Sequence, residues 1–193
     1  MENQTKIAAR TKYLKKRDDL SSVDRTHASA VIRQRVFGRS EWLRAHTVLL
    51  YASFRSEVDT HKLIQEALTQ KKRVVLPVVD RGKKEIGLSE LQAFGDLAPG
   101  AFPGIYEPAM KLRKRVDPSE VEAVLVPGIA FDRQGGRIGM GVGYFDKLLF
   151  DMPNAKRIGL AFSVQISPKP LPLEAHDIRM HIILTEKEAI LIP

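Results

Sequence analysis

The chain has no cysteine. Disulfides, thiolate nucleophiles, iron–sulfur clusters and Cys-ligated zinc are excluded together. Tryptophan occurs once and aromatic residues make up 7% of the chain, so Trp42 and the remaining aromatics read as packing rather than as a base-stacking platform. No window holds the roughly 18 uninterrupted apolar residues a membrane helix needs, and the opening MENQTKIAARTK has no apolar signal core. The expectation is a cytoplasmic protein with no membrane partner. His27, His46, His61, His176 and His181 show no metal-binding spacing, and no role is assigned to them.

What is present is ordinary globular usage, 44% hydrophobic with 13 Gly and 11 Pro, which excludes disorder and collagen. At 193 residues the chain suits one α/β domain, spanning 1–193, and is short for two. Its net charge of +8 is unevenly placed: residues 1–44 hold 11 Lys/Arg against 5 Asp/Glu, and the rest 20 against 18. A nearly neutral body with a basic N-terminal segment favours an anionic partner, whether nucleic acid, acidic lipid or a small polyanion such as ATP.

There is no internal repeat. Residues 3–19 and 22–37 read as two helices, the second with Ser22 as N-cap and Ala28, Val31, Ile32 and Val36 on one face. Short apolar runs then alternate with helical stretches: 47–52, a helix from about Val58 to Gln70, 74–79, 123–126, a helical stretch at Lys147–Phe150, 157–161 and 182–185. Residues 80–120 are rich in Gly, Pro and charge, with one short strand near 86–91. Such runs predict a mostly parallel sheet buried on both faces, with Pro77 and Pro127 at or near strand ends. Ligands in open α/β sheets bind beyond the carboxyl ends of the strands, here just after Ala52, Val79, Val126, Ala161 and Thr185.

The strongest local signal follows the run at 123–126. It contains Arg137, alternate glycines at Gly139, Gly141 and Gly143, then Tyr144, Phe145 and Asp146. Alternate glycines let backbone N–H groups approach an anion closely, and a helix beginning near Tyr144 would point its N-terminus at the same place. Arg137 adds a permanent forked cation, and Asp146 could hold magnesium. The pattern is neither a Walker A loop nor a GxGxxG fingerprint. The alternative is a tight loop whose glycines only permit turns. At the N-terminus, Lys6 and Arg10 stand at i and i+4, so one helix face can offer both to a single phosphate, or share a solvated basic face with Lys12 and Lys16.

The stretch VPGIAFDRQGGRIGMGVGYFDKLL closely resembles the signature of the 5-formyltetrahydrofolate cyclo-ligase (5,10-methenyltetrahydrofolate synthetase) family, roughly VPGxAFDxxGxRLGxGxGYYDxxL. Further motifs extend the resemblance over nearly the whole chain. They are Lys6–Arg10 before Leu20-Ser21, Glu57–Thr60, Lys72–Pro77, Glu107-Pro108 and Pro172–Asp177. The departures are Ala9, Lys71, Ile138, Phe145 and Lys147, and Phe145 lacks the phenolic hydroxyl of the usual second tyrosine.

The resemblance implies a single three-layer α/β domain with a mostly parallel sheet, similar to the NagB/RpiA/CoA-transferase-like fold. It also implies an enzyme that closes 5-formyltetrahydrofolate to 5,10-methenyltetrahydrofolate, with ATP as co-substrate and Mg²⁺ as cofactor. Lys6 and Arg137 would be catalytic. ATP would meet Lys6, Arg10, Arg137, Ile138, Gly139, Met140, Gly141, Val142, Gly143, Tyr144 and Phe145. Folate would meet Glu57 and Met140–Tyr144, and Asp146 and Asp177 would hold the metal. A carboxylate at Glu57 can accept bidentately from the N–H and amino edge of a pterin, whereas Asp59 reads as a helix cap. Lys111, Arg113, Lys114 and Arg115 read as a solvated basic loop, with attraction of folate's glutamate tail as the second reading. Two rivals differ in class. A nucleic-acid-binding protein would show steep salt dependence, but no such motif is present and no nucleic-acid partner is expected. A sugar-phosphate isomerase on a related scaffold would leave Lys6 and Arg10 without a purpose.

Overall fold

The computed structural model describes residues 4–80, 82, 85–141, 143–174 and 176–193. Helices α1 (Gln4–Asp18), α2 (Ser22–Phe37) and α3 (Ser40–Arg44) precede strand β1 (Thr47–Leu49), helix α4 (His61–Thr69) and strands β2 (Arg73–Asp80) and β3 (Glu85–Leu91). Strands β4 (Leu97–Pro99), β5 (Tyr106–Pro108), β6 (Lys114–Arg115), β7 (Ala123–Val126), β8 (Ala130–Asp132) and β9 (Arg137–Ile138) follow. Helix α5 (Tyr144–Phe150) and strands β10 (Lys156–Leu160), β11 (Ile166–Ser167), β12 (Ile182–Leu184) and β13 (Ala189–Leu191) complete the order.

The eight-stranded sheet runs β13-β12-β10-β7-β1-β2-β3-β6. Its five central strands are parallel, and β13, β3 and β6 add antiparallel edges. The alternation of side chains along these strands builds two cores. Val48, Leu50, Val74, Leu76, Leu125, Leu160 and Leu184 pack with α2, Trp42 of α3 and Leu63 and Ile64 of α4. The intervening Leu49, Val75, Val124, Val126 and Ile183 pack on the other face with Leu148 and Leu149 of α5 and with Phe131. Helices on both faces of a mostly parallel sheet give the expected three-layer α/β class. Phe131 fits against the sheet because Gly128 and Gly159 leave it room: a Cβ at either would lie 2.5 and 2.6 Å from its ring.

Several local expectations are corrected. The N-cap of α2 is Ser21, whose hydroxyl accepts from Asp24 N–H at 3.0 Å, and Ser22 is the first helical residue. Helix α4 starts at His61, not near Val58, because Asp59 and Thr60 are used in the loop. Asp59 Oδ1 accepts the His61 N–H, at 2.9 Å, and Thr60 Oγ1 accepts the Ser53 N–H, at 3.0 Å. Pro77 sits inside β2 rather than near its end. Its alternation with Arg73 and Val75, which bond β1 and its flanks, turns its missing N–H toward the side where β1 has already stopped. Residues 80–120 carry β3 through β6 rather than one strand, and β13 was not read from the sequence at all.

Candidate active site

The apolar side of helix α1 is small. Its buried residues are Lys6, Tyr13 and Arg17, and with Arg10 they fall at spacings of four, three and four, which is one side of a helix. Tyr13 joins Ile129, Ala130, Ile138 and Leu171 around the small β11-β8-β9 sheet, with the partly buried Ala9 and Leu14 packed against them. Charged contacts add to this docking.

Lys6 Nζ donates to both Asp177 oxygens, at 2.7 and 3.0 Å, and to Glu174 Oε2 at 2.9 Å. Burial alone would lower the Lys6 pKa, but the hydrogen bonds and charges of Asp177 and Glu174 raise it above the ordinary lysine value. Burial would likewise raise Asp177, yet the Glu174 N–H and the Lys6 ammonium hold it below the usual carboxylate value. Both groups are therefore charged. Arg10, one turn along, donates from Nε to the Gly139 carbonyl at 2.8 Å, and its guanidinium lies against Gly141.

Arg137 is reached from β9 and almost wholly buried. Its Nη2 donates to Asp146 Oδ2 at 2.7 Å and Nη1 to the Pro127 carbonyl at 3.2 Å, while Nε has no hydrogen-bond partner among the described residues. The other oxygen of Asp146 stands 3.5 Å from the Ile178 N–H, which places it beside the Asp177 segment. Two expected phosphate-binding cations and the two expected metal ligands are thus brought together as two ion pairs, Lys6–Asp177 and Arg137–Asp146.

The glycine loop runs between them. A Cβ at Gly139 would lie 2.8 Å from Arg137 Nη1 and crowd that guanidinium, and Gly141 adopts φ +97°. Met140 is exposed, Tyr144 and Phe145 are half-buried, and the Ile138 side chain is buried, leaving only its backbone for a ligand. Phe145 packs toward both cores. Val142 lies outside the described residues.

Glu57 follows β1 on a loop at the same sheet end. Its Oε2 accepts the Phe54 N–H at 2.9 Å, and burial raises its pKa, opposed by that bond and by the charge of Arg17. Across from it, the Phe54 ring touches Gly104, where a Cβ would lie 2.5 Å away. Beyond the end of β2, the buried Glu107 takes Arg113 Nη2 at 2.8 Å, which ties the basic loop down at its base.

Sequence reasoning missed three contributors. Arg17 was passed over because nothing but its helical spacing marks it. Gln165 donates to the Gly128 and Ile129 carbonyls, at 2.8 and 3.0 Å, and carries no local signal. His176, given no role, has its ring 3.6 Å from Glu174 and forms with Glu174 and Asp177 a group whose ligand atoms lie within 4.8 Å of one another. Its two-residue offset from Glu174 gave that away, had the closing motif been read for ligand spacing.

Comparison with known proteins bears on the family and the fold. A family model described as the 5-formyltetrahydrofolate cyclo-ligase family matches residues 2–186. The Haemophilus influenzae protein named 5-formyltetrahydrofolate cyclo-ligase is 32% identical over 188 residues, covering 95% of this chain and 99% of that one. The Escherichia coli K12 protein of the same name is 32% identical over 144 residues, covering 73% of this chain and 78% of the other. Among solved structures, the Aquifex aeolicus 5,10-methenyltetrahydrofolate synthetase superimposes with a TM-score of 0.85 at 35% identity, covering 97% of this chain and 92% of that one. With the motifs, the fold and the match to nearly its whole length in accord, the chain belongs to the 5-formyltetrahydrofolate cyclo-ligase family.

Proposed function

We propose that this enzyme converts 5-formyltetrahydrofolate and ATP to 5,10-methenyltetrahydrofolate, ADP and phosphate, with Mg²⁺. The observation that carries the reading is the pair of crossed ion pairs flanking the glycine loop. Lys6 and Arg137 are cations held ready by carboxylates, and a polyphosphate entering with a divalent cation offers each partner a replacement: phosphate oxygens for the cations, metal for the carboxylates. Asp146 and Asp177 offer hard carboxylate oxygens, the donor class Mg²⁺ takes, and they would hold it there. Bound, the metal would offset charge on the phosphates.

The chemical difficulty is that an amide-like formyl oxygen leaves poorly. Transfer of the γ-phosphoryl group to that oxygen makes it part of a phosphate leaving group and makes the formyl carbon electrophilic. The second folate nitrogen attacks that carbon, closes the ring, gives up its proton and expels phosphate, which can carry that proton away. Phosphoryl transfer asks a protein mainly for positioning and charge stabilisation. Lys6, Arg10 and Arg137 orient the triphosphate and counter the charge that builds on it. Glu57 accepts from the pterin's N–H and amino edge and so fixes the folate's orientation. No protein nucleophile enters this scheme.

The test is the absorbance of the methenyl-folate band on mixing protein with 5-formyltetrahydrofolate and Mg-ATP. A rise that vanishes without ATP, and vanishes on chelating magnesium, is the expected result. No rise from folded protein would refute the proposal.

A further inference from the structure

Arg17 is the third cation on the buried face of α1, and neither the phosphate site nor the family's motifs use it. Only 3% of its surface is exposed. Its Nε donates to Ser56 Oγ at 3.0 Å, and Nη1 stands 3.4 Å from the Gly128 carbonyl. Ser56 Oγ donates in turn to Asp18. Both partners of the guanidinium are uncharged, and no carboxylate among the described residues stands at ion-pair distance from it. A buried cation with neutral partners is costly unless something else in the site gains from its charge.

Two loops gain. Ser56 precedes Glu57, whose carboxylate is folded back onto the Phe54 N–H and feels the Arg17 charge. Gly128 follows Pro127, whose carbonyl takes Arg137 Nη1. The Gly128 carbonyl is shared with Gln165 Nε2 at 2.8 Å, so that end of the link is itself anchored. One side chain therefore spans the loop after β1, which carries Glu57, and the loop after β7, from which Arg137 is braced.

We propose that Arg17 is a positioning residue for the folate side of the site: it fixes loop 53–57 against Gly128 and supplies Glu57 with its counter-charge. The inference rests on Glu57 facing a folate, as proposed above.

Calorimetric binding of 5-formyltetrahydrofolate and, separately, of Mg-ATP to wild type, Arg17→Met, Arg17→Lys and Ser56→Ala tests it, with amide exchange over residues 53–57 alongside. Losing a charge-assisted link of this kind is expected to weaken folate binding about tenfold in Arg17→Met and Mg-ATP binding less than about twofold. Arg17→Lys should recover part of the loss, and exchange at Phe54 should quicken in the Met variant. An equal effect on both ligands, or none on folate, overturns the proposal. Should Arg17→Met fail to fold, Ser56→Ala, which deletes one hydroxyl, decides alone: folate-selective loss supports the link and no loss overturns it. A wild type that makes methenyl product while Arg17→Met binds folate normally sinks the positioning role only. A wild type that makes no product but binds folate in an Arg17-dependent way sinks the proposed reaction only. A wild type that binds no folate sinks both.

Discussion

Lys6 and Asp177 lie 171 positions apart in the chain and are joined by two hydrogen bonds, at 2.7 and 3.0 Å, from one ammonium to both oxygens of one carboxylate. The first helix is thereby tied to the loop that precedes β12, across the end of the sheet where the glycine loop stands.

Lys6→Ala should mainly weaken ATP. The variant leaves Asp177 and Glu174 without their cation and removes a charge from the phosphate path. The expected outcome is an ATP KM raised about tenfold or more, with the folate KM changed less than about threefold. Initial rates at varied ATP and varied folate separate the two; equal rises would place Lys6 elsewhere.

Arg137→Ala and Gly139→Ala should fail in the same manner for different reasons. The first deletes the guanidinium. The second puts a methyl group 2.8 Å from Arg137 Nη1 and crowds the side chain that holds Asp146. A lost preorganised charge of this sort costs about 10²–10³ in turnover. Because the Arg137–Asp146 pair is mostly buried, breaking it should also destabilise the fold, by about 3–5 kcal/mol when one partner is removed. Gly143→Ala isolates the backbone cost in the melts: φ is +74° and no described protein atom crowds the new Cβ, so its stability loss is about 1–2 kcal/mol. Single-turnover rates together with thermal melts distinguish the three.

Glu57→Gln should stabilise the protein at neutral pH while impairing folate binding. Burial raises the Glu57 pKa above its unfolded value near 4.3, against the opposing Phe54 N–H and Arg17 charge. In the window between the two values the folded state binds more protons than the unfolded one, so wild-type stability falls as pH rises through it. Above the folded pKa the deficit is constant. The neutral amide carries no such deficit and its oxygen can still accept from Phe54. Melts of both proteins should therefore diverge in favour of Glu57→Gln as pH rises through that window, then run parallel. Curves that stay superimposed would show that the carboxylate bears no burial cost.

Asp132→Asn should damage the fold and spare the chemistry. This buried carboxylate accepts three backbone N–H groups, from Gln134 and Gly136 at 2.8 Å each and from Leu171 at 2.7 Å. An amide turns part of that acceptor surface into a donor facing donors. The cost should be about 1–3 kcal/mol, or roughly 2–4 °C of Tm per kcal/mol at this size, with both KM values unchanged. A changed ATP KM at full stability would give Asp132 a part in the site.

The apolar runs made the central sheet legible because strands buried on both faces need continuous hydrophobic sequence, and 123–126 became β7 residue for residue. The edges were less legible. β6 has no buried residue, so no hydrophobic pattern announces it, and β13 is a short apolar run with only Ile190 well buried. The start of α4 was misplaced because Asp59 and Thr60 bond locally in ways that a propensity reading takes for a first turn. In the site, the glycine loop and its cations were visible as a linear motif. Arg17 and Gln165 were not, since what matters about each is a partner distant in sequence.

The contacts of α1 also bear on the order in which the molecule can be completed. This helix precedes every strand, yet its partners at Gly139, Glu174 and Asp177 lie 129 to 171 positions downstream. Tyr13 and the partly buried Ala9 and Leu14 are its few apolar contacts, so it has little to hold it to a partial sheet. Docking must close a loop that spans nearly the entire chain, the slowest kind of contact to form. The phosphate-facing side of the site is therefore completed only when α1 docks, after the sheet beneath it.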